Sequence, residues 1–498
     1  MLFEQPSARR EILQWSLFTA IYVIVVGHLA SRRLLWSDEI TSVMMSRAPG
    51  WGVLWDSALH GPDTLPPLNV LLMRLTRLPQ PWIELGARLP SIFGVWLAAL
   101  SVYSIIRSAA RSEAAWCGVF LLLMTAALPY AVEARPYGLL LGCSSAAVAL
   151  WVYSNRSGAS PLVTGALIAT LLVAAVWVHW FGVLAWFVVG ILEVWQFRLR
   201  LRPQLWLPLV AGGLLCLPLF PFAMHAKEYS AVMVWRIPDV WSLWTLYAGL
   251  LPASTLVLGL VIGVVGAREG SRTSATQNET KRLAPALRSA VMLALIPFLG
   301  YLLALGGVGV VTVRYTLAGA AGVSMLIALA LVPLVASRRT LALCTCLLAA
   351  GAFEEAAQIK HDMTEVGAVR NQIGPFSILR TGADSGDVDL PILVSDIHVY
   401  LPLIQYAPTS LAHRLVYVTG QNPQATFQME RYAQWFPVRT LSQEQAFAAT
   451  RFLIYVAGDD LLLPGALNRG WHVSAEPLGI NPQTFPRPGY LLLAERIP

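Results

Sequence analysis

Long apolar runs separated by short polar segments dominate the first two thirds of the chain. The first run, residues 12–31, is about 20 residues long, which is enough to cross a bilayer at about 1.5 Å of rise per residue. Similar runs follow it as far as residue 354. The pattern predicts about eleven membrane-spanning helices, near residues 12–31, 88–107, 114–132, 136–153, 161–178, 180–197, 205–223, 242–266, 289–306, 316–336 and 340–354.

One apolar stretch, residues 161–197, is too long for a single helix, even a tilted one. We divide it at His179, where a turn would place the imidazole at the membrane surface. The composition agrees with a membrane protein, because 56% of the 498 residues are hydrophobic and 13% are charged, against about 25% charged in soluble domains. The first run is too long for a cleavable signal sequence, so we expect no cleavage there.

The basic residues fall mainly in the short segments between apolar runs, and they predict the orientation of the helices. With the amino terminus in the cytoplasm, thirteen Lys and Arg residues lie in the short inside loops, and four lie in the short outside loops. Such an excess on the cytoplasmic side is the positive-inside rule. Since topology accounts for the net charge of +7, we expect no nucleic-acid partner.

The first outside loop, residues 32–87, is rich in Trp and Pro, which predicts short helices lying on the membrane surface. After about residue 355 the composition becomes ordinary. Short apolar runs bounded by polar turns predict strands, and one segment predicts a helix; the strands are at 390–396, 415–418 and 451–457, and the helix is at 442–451.

These patterns predict an α-helical polytopic membrane protein with a small C-terminal α/β domain. The transmembrane domain would cover residues 1–354, and the α/β domain would cover residues 355–498. An odd number of spans places the second domain outside the cytoplasm.

Several polar residues fall on the predicted outer side of the membrane. Adjacent carboxylates follow the first span, and acids so near lipid must face water or a protein interior. A carboxylate can act as a general base, and arginines can hold phosphate oxygens through paired hydrogen bonds. Together they suit the displacement of a phosphate from a carbon by a nucleophile. The candidates are Asp38, Glu39, Asp63, Arg88, Glu133, Arg135, His179, Arg314 and Tyr315.

Six of these candidates also have an ordinary structural explanation. The Asp-Glu pair after the first span would be solvated at a helix end. Arg88 would anchor a helix at the interface. Glu133 and Arg135 would form a surface ion pair, and His179 would be a polar turn residue. The residues alone leave these alternatives open.

Six short motifs resemble, in order and spacing, those of bacterial family-39-like glycosyltransferases. These enzymes belong to the GT-C superfamily, with the protein O-mannosyltransferases and the aminoarabinose transferases of lipid A. One motif departs from the family pattern, because the usual His-Pro-Pro of the first loop reads Leu-Pro-Pro at residues 65–67. The six motifs lie at residues 36–39, 65–69, 87–91, 133–137, 178–182 and 313–315.

The resemblance implies an inverting enzyme in the bacterial cytoplasmic membrane, with a polyprenyl-phosphate-linked sugar donor and an active site on the extracytoplasmic face. It matches the family's acidic positions with Asp38, beside Glu39, and with Glu133. It matches the family's Arg-Tyr pair near the lipid phosphate with Arg314 and Tyr315. We therefore expect Asp38, Glu39 and Glu133 to be catalytic. The expected substrate-binding residues are Asp63, Arg88, Arg135, His179, Arg314 and Tyr315.

The expected mechanism is a single displacement. Asp38 takes the proton from an acceptor hydroxyl or amine as it attacks the anomeric carbon of the sugar, and arginines stabilise the leaving phosphate. The acceptor would be a lipid, a glycan or a protein. No Gly-rich phosphate loop is present in the C-terminal region, in agreement with a donor that is not a nucleotide. No metal ion and no other cofactor is expected.

The alternative function is that of a polytopic transporter or a flippase for lipid-linked sugars. Transporters often contain internal repeats and broken helices in matching halves, and we find no such repeat. Charges are nearly absent from the centres of the predicted spans, apart from Glu193 near a cytoplasmic end. A third possibility, a non-catalytic lipid-linked scaffold, would require the acidic residues to be dispensable.

Overall fold

The computed structural model describes most of the chain, and the predicted span at 340–354 falls largely outside the described part. Single residues are also described within 253–276 and 335–389. The continuous segments are 8–155, 160–198, 202–232, 238–252, 277–334, 390–407, 412–420, 422–456, 461–475 and 490–496.

Up to residue 334, the regular secondary structure of the described chain is helical. Three single 3-10 turns interrupt them at Trp180–Gly182, Leu217–Leu219 and Val313–Thr316, and a π-helical turn covers Ala304–Val308. In chain order the helices are α1 (Ala8–Arg32), α2 (Ser37–Ser46), α3 (Trp51–His60), α4 (Leu68–Leu75), α5 (Ile83–Ala109), α6 (Ser112–Leu123), α7 (Ala127–Ala131), α8 (Tyr137–Ser154), α9 (Pro161–Val178), α10 (Val183–Phe197), α11 (Pro203–Leu214), α12 (Phe220–Val232), α13 (Val240–Leu250), α14 (Gln277–Ala294), α15 (Ile296–Leu303) and α16 (Ala318–Leu334).

Seven of the described helical segments are long and apolar enough to cross a membrane. They confirm the predicted polytopic helical fold and fall where the apolar runs placed spans. The predicted span at 114–132 is instead broken into α6 and α7. At the break, the backbone N–H of Ala126 donates to the carbonyl oxygen of Leu250, and the backbone N–H of Ala127 donates to the Thr125 hydroxyl. The seven are Ala8–Arg32, Ile83–Ala109, Tyr137–Ser154, Pro161–Val178, Trp180–Phe197, Pro203–Glu228 and Leu283–Gly306.

The predicted break at His179 is present. Helix α9 ends one residue earlier, and His179 has extended backbone angles, φ −159° and ψ 141°. A Cβ on Gly182 would lie 2.3 Å from the carbonyl group of Ala175, so the chain can turn this tightly only with glycine there. The imidazole is buried among protein side chains, with 2% of its surface exposed, and is not presented to the surroundings as a polar turn residue would be.

The first compact unit comprises Met1–Ser31, Leu65–Phe220 and Trp235–Ile359. Helices α5 and α8 cross closely in this unit. A Cβ on Gly94 would lie 2.3 Å from the carbonyl oxygen of Gly138, and a Cβ on Gly142 would lie 2.3 Å from that of Gly94. Small residues allow such close approach of helix backbones in membranes. The crossing fixes the amino-terminal end of α8.

The second compact unit comprises Arg32–Thr64, Pro221–Val234 and Lys360–Pro498. It contains a six-stranded mixed sheet in the order β3-β2-β1-β4-β6-β5. The first four strands are parallel, and β6 pairs antiparallel with both β4 and β5. The elements are β1 (Ile392–Val394), α17 (Ile397–Tyr406), β2 (Leu415–Thr419), α18 (Pro423–Trp435), β3 (Thr440–Ser442), α19 (Gln443–Ala446), β4 (Arg451–Val456), α20 (Leu462–Asn468), β5 (Trp471–Ala475) and β6 (Tyr490–Arg496).

The predicted C-terminal α/β fold and its three strands are thus present. The helix predicted at 442–451 is wrong in length, since α19 has a single turn. Phe447 packs against Phe452 and Trp471, with ring centroids 5.6 and 6.0 Å away, so the chain must turn into the sheet before β4 begins.

The short helices predicted for the first loop are also present as α2, α3 and α4. Helices α2 and α3 belong to the same compact unit as the C-terminal sheet. The division of the chain at residues 354 and 355 stays a prediction.

Candidate functional site

In the first unit, three aromatic rings and two guanidinium groups form an aromatic–arginine cluster: Tyr137, His179, Tyr315, Arg135 and Arg314. The His179 ring centroid lies 4.7 Å from that of Tyr315 and 5.6 Å from that of Tyr137. The Arg314 Cζ atom lies 5.4 Å from the Tyr137 centroid, and the Arg135 Cζ atom lies 6.0 Å from it. The structure therefore brings together four of the predicted substrate-binding residues.

Three separate parts of the chain hold this cluster in place. Tyr137 is the first residue of α8, and the Ser91 hydroxyl donates a 2.5 Å hydrogen bond to the carbonyl oxygen of Arg135. Arg314 and Tyr315 lie in the 3-10 turn before α16. Gly300 on α15 leaves room for this turn, because a Cβ there would lie 2.7 Å from Thr316 Cγ2.

The hydrogen bonding of His179 defines its tautomer. Its Nδ1 atom accepts a 3.1 Å hydrogen bond from the backbone N–H of Phe181, so the neutral ring carries its proton on Nε2. In the described part of the chain, Nε2 is buried and has no hydrogen-bond partner. His179 lies in the turn between two candidate spans. Burial, and then the charges of Arg135 and Arg314, lower the pKa of its imidazole to about 3, so it is neutral at physiological pH.

This arrangement is suited to binding an anion. Two guanidinium groups supply fixed positive charge, and the buried Nε2–H of His179 is a donor with no protein acceptor. A buried donor without a partner costs about 1–3 kcal/mol, so a ligand oxygen that accepts from it gains that amount. Phosphate oxygens accept hydrogen bonds from both guanidinium and imidazole N–H groups.

Two other predicted site residues of this unit lie in different surroundings. Arg88 is fully buried on α5, and its Nη1 atom donates a 2.7 Å hydrogen bond to the carbonyl oxygen of Ala30. Ala30 is in the last turn of α1, whose carbonyl groups need partners from outside the helix. Arg88 therefore caps the end of α1, and its predicted role in substrate binding stays a prediction. Glu133 is half-buried in the turn before α8.

Three predicted acidic residues, Asp38, Glu39 and Asp63, belong to the second unit. Asp38 is half-buried in the first turn of α2, and Ser42 follows it one helical turn later on the same face. The Ser42 hydroxyl lies 3.5 Å from Asp63 Oδ2, so the two aspartates flank this serine.

Glu39 has a structural role in the same turn. Its carboxylate is fully buried and accepts a 3.1 Å hydrogen bond from the backbone N–H of Trp36. This contact closes the amino-terminal end of α2. The catalytic role of Glu39 stays a prediction.

Sequence reasoning missed the residues that hold α2. Ser37 Oγ lies 2.6 Å from His398 Nδ1, and the Thr41 hydroxyl is hydrogen-bonded to that of Tyr432. No local motif marks either partner in the C-terminal region. Tyr137, at the centre of the aromatic–arginine cluster, was within a family motif and was not singled out.

Metal ligands do not converge in the described residues: no group of three or more His, Cys, Asp or Glu side chains could hold an ion there. The expectation of a metal-free enzyme stays a prediction.

Comparison with known proteins supports the fold. No family model and no curated protein matches the sequence. Among solved structures, ArnT from Cupriavidus metallidurans bound to undecaprenyl phosphate matches with a TM-score of 0.58 at 14% identity, over 98% of each chain. The apo state of the same ArnT matches with a TM-score of 0.50 at 14% identity, again over 98% of each chain. At this identity the likeness concerns the fold. The chain shares the polytopic helical membrane fold of this ArnT, as its apolar pattern predicted.

Proposed function

We propose that this protein is a membrane glycosyltransferase that moves a sugar from a polyprenyl phosphate to an acceptor on the outer face of the membrane. The observation that carries the proposal is the buried Nε2–H of His179 beside the guanidinium groups of Arg135 and Arg314. These donors fit a phosphate. The similar ArnT was crystallised with undecaprenyl phosphate, which is a lipid of that chemistry.

In this proposal the cluster binds the donor phosphate and stabilises it as a leaving group. The bond between the anomeric carbon and the phosphate oxygen breaks, and its electron pair leaves with the phosphate. The two arginines face the negative charge that grows on the phosphate in the transition state, where such stabilisation accelerates the reaction. The Tyr315 hydroxyl supplies one further hydrogen bond.

Asp38 is the proposed general base. As the acceptor oxygen or nitrogen bonds to the anomeric carbon on the side opposite the phosphate, its proton passes to the Asp38 carboxylate, and the configuration inverts. Asp38 is half-buried, so it remains open to a substrate, whereas Glu39 is fully enclosed and committed to capping α2. We therefore assign Asp38, rather than Glu39, to proton transfer. Asp63 and Glu133 would orient sugar or acceptor hydroxyls.

The distribution of buried charge favours an enzyme over a transporter. In the described spans, the buried Asp, Glu, Lys and Arg side chains lie near helix ends: Glu84 and Arg88 near the start of α5, and Glu193 near the end of α10. A transporter is expected to hold its substrate near the middle of the membrane, where discontinuous helices and polar groups meet.

The test of the donor site is binding of radiolabelled undecaprenyl phosphate to the purified protein in detergent. Arg314→Ala should weaken binding about 10–100-fold, because a charge-assisted hydrogen bond contributes about 1.5–3 kcal/mol. Arg314→Lys should weaken it less, since Lys keeps the charge and loses the paired geometry. Arg288→Ala is the matched control: Arg288 also lies against an aromatic ring, 5.3 Å from the centroid of Trp195.

The test of the reaction compares a polyprenyl-phosphate sugar with the matching sugar nucleotide as donors for the wild-type protein. The proposal expects turnover with the lipid-linked donor only. Efficient use of the nucleotide would contradict the donor class. Equal binding of undecaprenyl phosphate by wild type and Arg314→Ala would contradict the binding site.

A further inference from the structure

We infer that the C-terminal α/β domain sets the orientation of the catalytic carboxylate, with Tyr432 and His398 as positioning residues that hold α2. This inference rests on the proposed role of Asp38. All the contacts that carry it lie within the second compact unit.

The amino-terminal end of α2 is bonded to α17 at two points. The backbone N–H of Leu35 donates a 2.7 Å hydrogen bond to the Tyr406 hydroxyl, and Ser37 Oγ lies 2.6 Å from His398 Nδ1. Leu35 is buried and precedes the helix, so its N–H has no partner within α2. Tyr406 and His398, both on α17, therefore fix the position at which α2 begins.

A third bond comes from α18 and has a defined direction. The Thr41 hydroxyl donates to the carbonyl oxygen of Ser37 at 3.0 Å, which uses its single proton. Its hydrogen bond with Tyr432 must then run from the tyrosine O–H to Thr41 Oγ1. Tyr432 is buried, and its ring packs against Phe436 with centroids 6.0 Å apart. The Tyr432 hydroxyl that donates this bond is thus held rigidly.

These bonds control the rotation of α2. Ser37 and Thr41 are four residues apart and share one face, and Asp38 and Ser42 share the face about 100° further round. A carboxylate lies about 6 Å from the helix axis, so a rotation of about 20° moves it by about 2 Å. Displacement of a reacting group by about 1 Å can reduce catalysis about 100-fold.

Helix α18 also holds α3, so it acts on the whole segment around α2. Trp435 Nε1 donates a 2.7 Å hydrogen bond to Asp56 Oδ2, and Arg431 donates to the carbonyl oxygen of His60. The bond from Trp435 and then that with His60 lower the pKa of Asp56, which keeps its carboxylate charged as an acceptor. Helices α2 and α3 are thus both bonded to α18.

The test uses conservative variants of the full-length protein in detergent. Tyr432→Phe removes one hydroxyl and keeps the ring, and Thr41→Val removes its partner. Tyr400→Phe is the matched control. The Tyr400 hydroxyl is bonded to the backbone of Arg439 within the α/β domain, at 3.2 and 3.4 Å, so its loss weakens the domain without changing a bond to α2.

The expected result for Tyr432→Phe is a kcat at least 10-fold lower, with the donor KM within 2-fold of wild type, since the phosphate is held elsewhere. The double variant, Tyr432→Phe with Thr41→Val, should have a kcat no lower than that of the more impaired single variant, because the two substitutions remove the same hydrogen bond. Tyr400→Phe should keep the wild-type kcat. A general loss of stability would instead affect Tyr400→Phe in the same way.

Hydrogen exchange separates this inference from the proposed function. Exchange of backbone amides in a peptide covering residues 35–47 should be faster in Tyr432→Phe than in wild type and in Tyr400→Phe. If the wild-type protein transfers no sugar while Tyr432→Phe still shows faster exchange than wild type, the proposed function is overturned and the bonding of α2 is retained. Unchanged exchange, or an unchanged kcat in an active protein, would overturn the inference itself.

Discussion

Replacement of Gly94 by alanine tests whether the crossing of α5 and α8 holds the aromatic–arginine cluster. The added Cβ would lie 2.3 Å from the Gly138 carbonyl oxygen and 2.4 Å from the Cα atom of Leu139. Both are backbone atoms, so neither can move aside as a flexible side chain does. Ordinary contact begins at 3.4 Å, so the helices must separate by about 1 Å, the difference between 3.4 and 2.3 Å. Overpacking of this kind costs about 1–3 kcal/mol.

The matched control is Gly190→Ala on α10. A Cβ there would have no heavy atom within 4 Å, and alanine is favoured over glycine inside a helix by about 1 kcal/mol. The two variants make the same chemical change. The structure predicts that it lowers the stability in Gly94→Ala and keeps or raises it in Gly190→Ala. Thermal unfolding in detergent should show a lower apparent Tm for Gly94→Ala, by at least about 2 °C, and an unchanged or higher Tm for Gly190→Ala.

Donor binding by the two variants should change in the same direction as their Tm. Helix α8 begins at Tyr137, so a shift of α8 moves Tyr137 and the adjacent Arg135 relative to His179. Undecaprenyl phosphate should therefore bind more weakly to Gly94→Ala than to Gly190→Ala. A Gly94→Ala protein that melts and binds like the control would refute the close crossing and its link to the cluster.

Three further predictions concern the base, a buried ion pair and the topology. Asp38→Asn should lower sugar transfer at least about 100-fold with a near-normal Tm, while Asp56→Asn should keep most of the activity; more than about a tenth of wild-type transfer in Asp38→Asn would exclude it as the base. Glu193→Ala should destabilise the protein by about 3 kcal/mol, the low end for a broken buried pair, because Glu193 is buried and Arg202, 2.6 Å away, is partly exposed; an unchanged Tm would argue against it. A fluorescent protein that matures only in the cytoplasm should stay dark at the carboxy terminus, and bright cells would contradict the eleven-span topology.

Much of the helical part was predictable because the signals for it are local. Apolar run length alone placed the spans, and the excess length of residues 161–197 required the break that the structure has at His179. The α6–α7 break was not predictable in this way. At this break the N–H groups of Ala126 and Ala127 are bonded outside the helix, to the Leu250 carbonyl oxygen and the Thr125 hydroxyl, and hydropathy does not register such contacts.

The candidate site was predictable as a set of residues and not as an arrangement. Chemistry and motif order pointed to Arg135, His179 and Arg314, which the structure brings together around Tyr137. The helix-capping role of Arg88 depends on the approach of α1 to α5, which no motif encodes. The bonds that hold α2 join residues 361 and 391 positions apart, beyond the range of any pattern in the sequence.

The bond between Thr41 and Tyr432 has a consequence for biosynthesis. The two residues are 391 positions apart, so a ribosome that adds about 5–20 residues per second makes the second one about 20–80 s after the first. During that interval α2 has been made, while the side chains that orient it do not yet exist. A chain released early would carry Asp38 in an unheld helix. The order of synthesis therefore leaves the proposed catalytic carboxylate without this bond until Tyr432 has been made, and products truncated before Tyr432 should be inactive.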